Sequence, residues 1–255
     1  MSLTSRGRAV VSVVVVVLLL AGGLTAWALS GHAPNVIGQI VGHESSPPPP
    51  PPCPLTGVAP AGGKAVPQRP VIAVKVENTT DAYPLVGLQN ADIIYEELVE
   101  GGLTRFMALY QCSDAAKVGP VRSARTTDPK ILAPYSTHPI LGYSGAQLAV
   151  VNALRHAGVL AYDETNGAAA FTRAPAPRVT PHNLFASTVK LFQRAGKAGS
   201  QQGPPKPAFH YGAKVPNPSR KVTSAVIPFS TGVSGDWKWN ASTETWVRQL
   251  DGKPM

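Results

Sequence analysis

The sequence predicts an α/β or α+β protein: a mixed central sheet with flanking helices, a small Trp-rich β unit at the C-terminus and a transmembrane helix at the N-terminus. Three observations carry this. β-branched runs bounded by turn residues occur at 71–77 and on both sides of Gly101-Gly102. Helical spacing of apolar residues follows at 145–156 and 187–195. An uncharged stretch, residues 9–29, stands directly behind Arg6 and Arg8.

That stretch has a VVVVVLLL centre, and its length at ~1.5 Å rise per residue reaches about 31 Å, the thickness of a bilayer core. No Lys or Arg follows until Lys64, so the positive-inside bias keeps residues 1–8 in the cytoplasm and exports the rest. The expected location is the cell membrane, single-pass, with the C-terminal domain extracytoplasmic. Residues 26–28 read AWA, so secretion after cleavage near Ala28 is the alternative. Residues 45–54 (SSPPPPPPCP) impose polyproline II, and residues 30–66 read as an extracytoplasmic Pro-rich stalk.

The exported part divides into a domain at 67–198, a Gly/Pro/Lys-rich linker at 199–221 and the start of a β unit at 222–255, which reads as incomplete. Residues 71–77 (VIAVKVE) read as a buried strand. Residues 91–100 and 103–111 around Gly101-Gly102 read as a hairpin, with a helix over 91–100 as the competing choice from propensity. A strand is expected at 138–144, then a helix at 145–156 ending near Gly158, and a second helix at 187–195. In the last unit 222–229 reads as a strand, and Trp237, Trp239 and Trp246 alternate as in a hairpin turning at 240–243.

Lys+Arg number 23 against 14 Asp+Glu, a formal charge of +9. Such a balance suits nucleic acid, an anionic membrane surface or an anionic ligand. Nucleic acid is set aside, because the domain is placed outside the cytoplasm and shows neither a Lys/Arg-rich run nor zinc-finger spacing. The two cysteines exclude a Cys-rich metal site and permit one disulfide, Cys53–Cys112, which an oxidising exterior preserves. Neither a G-x-S-x-G, an H-E-x-x-H, a P-loop nor a G-x-G-x-x-G is present, and no cofactor is expected.

The chemistry concentrates in residues 117–128, KVGPVRSARTTD. The Gly119-Pro120 turn presents Arg122 and Arg125 with Ser123, Thr126 and Thr127 beside them. Arginine forks hold carboxylate or phosphate bidentately. Arg105, just after Gly101-Gly102, can join them. The competing reading is structural: these arginines neutralise Glu96, Glu97 and Glu100. If 91–100 is a strand, Asp92, Glu96 and Glu100 share a face, which is solvated or met by cations. Asp92 and Glu96 are then weak candidates for an oxygen-ligand metal site. Asn183, beside His182 in a loop after Pro181, is a further ligand-binding candidate.

Residues 69–78 (RPVIAVKVEN), 87–111 (GLQNADIIYEELVEGGLTRFMALYQ), 119–126 (GPVRSART) and 181–185 (PHNLF) resemble the YerB-like lipoproteins of bacteria. The resemblance runs over about residues 69–195, and the end from Val222 is similar to the start of the family's smaller C-terminal part. It implies an envelope protein carrying a domain of unknown function. It also adds weight to Arg105, Arg122, Arg125, Glu96 and Glu100, which lie inside the shared motifs. This chain departs from the family in having no lipobox cysteine, which implies anchorage by a helix. A looser similarity to the LytR–CpsA–Psr phosphotransferases implies a different role. There Asp92, Arg105, Arg122 and Arg125 would be the counterparts, the arginines holding a lipid-linked pyrophosphate and Asp92, Glu96 or Glu100 a Mg²⁺ ion. The leading expectation is a membrane-anchored envelope protein that binds an anionic wall component or lipid-linked ligand through its arginines, and is not an enzyme. The alternatives are a metal-assisted phosphotransferase or hydrolase, and an interaction protein with an internal Arg/Glu network.

Overall fold

All six side chains of β1 (Ile72–Glu77) are buried. The alternation of a strand with one wet face is absent, so β1 must be covered on both sides. The computed structural model describes residues 51–212, 221–250 and 253–254, and β1 is the middle strand of its five-stranded sheet. The apolar stretch at 9–29 and the stalk up to residue 50 lie outside the described residues. Among the described residues no helix is long and apolar enough to cross a membrane.

The sheet order is β2-β3-β1-β4-β5, with β2 (Ile93–Leu98), β3 (Thr104–Tyr110), β4 (Ile140–Gly142) and β5 (Leu160–Tyr162). β1 runs antiparallel to β3, from Ile72 opposite Tyr110 to Glu77 opposite Arg105. It runs parallel to β4, which is parallel to β5, so the sheet is mixed. β2 and β3 form the hairpin expected around Gly101-Gly102, whose φ values of 68° and 73° are left-handed and cost glycine little. The helical alternative for 91–100 loses because pairing with β3 supplies a full ladder that local propensity cannot match.

The helices are α1 (Asp128–Leu132), α2 (Leu148–His156) and α3 (Thr188–Ser200). α1 begins at Asp128, the last residue of the arginine-bearing run, where no helix is expected from sequence. α3 starts where Ser187 caps it, its Oγ accepting from Lys190 N at 3.4 Å. It extends past the expected end, with a break at Gly196 (φ 53°). One sheet face packs Ile72, Val74, Val76 and Phe106 against Leu191 and Ala195 of α3. The other packs Ala73, Met107 and Leu109 against Leu132 of α1 and Val150 and Leu154 of α2. Each fully buried Val, Leu, Ile, Phe or Met side chain among them contributes on the order of 1.5–3 kcal/mol.

Two short strands, β6 (Phe171–Arg173) and β7 (Leu184–Ala186), pair beside the first core. A second sheet, order β11-β10-β9-β8, consists of β8 (Ser224–Ser230), β9 (Val233–Asn240), β10 (Thr245–Leu250) and β11 (Lys253–Pro254). Trp239 sits opposite Trp246 with ring centroids 5.7 Å apart, the cross-strand pairing expected of the Trp hairpin. The disulfide joins Cys53 to Cys112. Cys53, Leu55 and Val66 are buried, and the described residues from Pro51 onward cluster as one unit. The last part of the segment read as stalk therefore packs with the domain.

Candidate functional site

Strand register sets the first charges. Arg105 on β3 lies opposite Glu77 of β1 on one side and opposite Glu97 of β2 on the other. The segment after Gly119-Pro120 then runs along the end of β1. Glu77 N donates to Pro120 O at 2.9 Å, and Arg122 N donates to Lys75 O at 3.0 Å. Gly119 allows this close approach: a Cβ there would lie 2.8 Å from Leu184 O, at φ 149°. The turn so placed carries Arg122, Ser123 and Arg125 over the charged strand ends.

Each arginine has a different environment. Arg122 Nη2 lies 3.2 Å from Glu77 Oε1, while Glu77 Oε2 is 2.9 Å from His182 Nδ1. The Nε of Arg122 is buried without a hydrogen-bond partner. Arg125 donates through Nε (2.9 Å) and Nη2 (2.5 Å) to Glu100 Oε2, and through Nη1 to Ala124 O. That bond holds the Glu100 carboxyl below its usual value. Arg105 donates once, from Nη1 to Ser123 O at 3.0 Å, and has no carboxylate in ion-pair range among the described residues. Burial lowers its affinity for its proton, and the charges of Arg125 and Arg122 lower it further. A cleft of about 410 Å³ opens beside this group, lined by Glu100, Ser123, Arg125, Thr126, Gln147 and Val150.

Below the turn lies a buried ion triad. Lys75 Nζ contacts Glu97 Oε1, and lies 3.0 Å from Asp128 Oδ1. Glu97 Oε2 accepts from Thr127 Oγ1 at 2.6 Å, and Asp128 Oδ2 accepts from Arg125 N at 2.9 Å. The triad thereby pins the arginine turn to the sheet. Burial pushes the Asp128 carboxyl up to about 6, against the opposing pull of Lys75.

The structure brings Arg105, Arg122, Ser123, Arg125 and Glu100 together. Glu96 lies elsewhere: it faces the other side of β2, where Arg248 of β10 grips it through Nε (2.8 Å) and Nη2 (2.5 Å). Asn183 is occupied by Arg173 Nη1 (2.9 Å), and it is His182 that reaches the network. Asp92 sits at the opposite end of β2 from Glu97, accepting from Gln111 N at 2.5 Å and Cys112 N at 2.9 Å. Asp92, Glu96 and Glu100 thus do not converge, because only Glu96 lies within β2, while Asp92 precedes the strand and Glu100 falls in the turn beyond it. Among the described residues no group of three His, Cys, Asp or Glu side chains could hold a metal ion. Of the carboxylates expected to neutralise the arginines, Glu100 does so, whereas Glu97 is taken by Lys75 and Glu96 by Arg248. Lys75, Glu77, Asp128 and Arg248 were missed. A lysine inside VIAVKVE was the available signal, since a charge in a strand covered on both faces requires buried partners.

A mixed-sheet α+β domain with an arginine-lined strand end is the class that fold and site define. Residues 55–201 match the family model described as "Protein of unknown function (DUF3048) N-terminal domain", and the chain belongs to that family. It is 50% identical over 72 residues to "Putative lipoprotein YerB" of Bacillus subtilis (strain 168), a match spanning 28% of this chain and 21% of that protein. The aligned stretch is thus about a fifth of that relative's length. The crystal structure of YerB from Bacillus subtilis superposes with a TM-score of 0.64 at 24% identity, over 80% of this chain and 68% of that one, a likeness of fold. The YerB-like resemblance read from the motifs is therefore correct.

Proposed function

We propose that the chain is an extracytoplasmic envelope protein, anchored by residues 9–29, in which Arg105, Arg122, Arg125 and Ser123 bind an anionic group of a wall component or lipid-linked ligand. The observation that carries the reading is Arg105. Its guanidinium has one hydrogen bond to protein and two cationic neighbours, so an entering phosphate or carboxylate gains charge-assisted donors that the domain leaves unspent. An internal network accounts for Arg125 and much of Arg122, through Glu100 and Glu77, but among the described residues it gives Arg105 no carboxylate within ion-pair distance, Glu100 and Glu77 acting on it only from further off. The phosphotransferase alternative has less support, because its expected Asp92 is engaged at the far end of β2. The name of the Bacillus relative supports the envelope location.

Pyrophosphate is the probe. At a concentration 100 times Kd it should stabilise the folded chain by about 2.7 kcal/mol, read as a rise in Tm. Arg105→Ala should abolish the rise while leaving the chain folded. An unchanged Tm at high pyrophosphate would remove the binding reading. Location is tested separately by a reporter fused after Pro54: activity confined to the cytosol would overturn the envelope assignment.

A further inference from the structure

Lys75, Glu97 and Asp128 form a cluster that anion binding does not use. Their side chains are 0%, 8% and 0% exposed, so the ammonium and both carboxylates are held almost without water. Lys75 stands opposite Met107, which stands opposite Tyr95, and Met107 shares its apolar cluster with Leu132 and Tyr135. Three charges in such surroundings are costly to desolvate, and their mutual attraction only partly offsets this. The same surroundings favour a reaction between them. An amine fixed against a carboxyl group reacts at a very high effective concentration, and exclusion of water opposes hydrolysis.

We propose that Lys75 and Glu97 condense to an isopeptide bond, with Asp128 carrying the proton. Asp128 Oδ1, 3.0 Å from Nζ, takes one proton from the ammonium. The freed amine attacks Glu97 Cδ, and a new N–C bond forms. The C–Oε1 bond breaks, and Oε1 leaves as water with two of the three ammonium protons, one of them returned by Asp128. No electrons are exchanged and no co-reactant is needed. Glu97 Oε2 remains as the amide carbonyl oxygen. Thr127 Oγ1, which donates to it at 2.6 Å, is placed to stabilise the charge that develops there during attack. Arg125 N, donating to Asp128 Oδ2 at 2.9 Å, aims the other oxygen at Lys75. Burial, which raises the affinity of Asp128 for a proton, suits it to the carrier role. The product removes an ammonium and a carboxylate from the interior, and ties β1 to β2 across the intervening β3.

The test is mass spectrometry of the full chain, reduced, denatured and digested. The expected result is a branched peptide joining the Lys75 and Glu97 segments, lighter by one water than the sum of its parts. Lys75→Arg should restore the two linear peptides, and Asp128→Asn should lower the linked fraction. Recovery of Lys75 and Glu97 only in separate linear peptides from the wild-type chain overturns the proposal, whether or not the variants accumulate. A branch from Lys75 to Asp128 overturns the choice of acceptor, and full linkage in Asp128→Asn removes the carrier role.

Discussion

Asp128 shows how one side chain can link the core to its surroundings. Its folded value of about 6 stands above the ordinary aspartate value of 3.8, so between those limits the folded state binds more protons than the unfolded. Its contribution to stability is therefore fully present below about 4 and is lost as pH rises through 6, by up to roughly 3 kcal/mol. Condensation of Lys75 would keep the sign, since losing the ammonium removes the group that opposes the shift. Thermal unfolding of the wild type and Asp128→Asn from pH 4 to 7 checks this. The two Tm profiles should differ most in slope across that window, and parallel profiles would refute the assignment. At this scale the sequence was only partly legible. Arg105, Arg122 and Arg125 could be singled out because they crowd around two glycine turns. Glu96 could not be sent to Arg248, because that contact spans 152 residues and no local pattern encodes it.

At the scale of elements, legibility followed the strength of the local signal. The β2–β3 hairpin and the Trp hairpin of β9 and β10 were readable, since glycines or a polar turn punctuate strand-forming runs. α2 and α3 were readable from their apolar spacing. α1 was not: five residues opening with Asp-Pro are too short to show a period. Nor could the sequence place β4 beside β1, because a parallel neighbour in a mixed sheet is chosen by long-range packing. That packing matters for the site. α1 closes over the face that carries Lys75 and Glu97, and its first residue is Asp128 itself.

For the whole molecule, two features dominate: burial of β1 on both faces and the closure of a 59-residue separation by Cys53–Cys112. On chain-entropy grounds a loop of that size stabilises the fold by about 4 kcal/mol. Reduction should lower Tm by a corresponding margin, measured with and without dithiothreitol, and an unchanged Tm would show that burial of Cys53 and Leu55 holds the segment unaided. The disulfide also decides how tension travels. Any pull arriving along Pro51 and Pro52 reaches Cys53 and crosses directly to Cys112, just beyond the end of β3. The stretch between the two cysteines, which contains β1, β2 and β3, becomes a slack side loop. Tension applied on the N-terminal side of Cys53 would therefore bypass β1, β2 and β3.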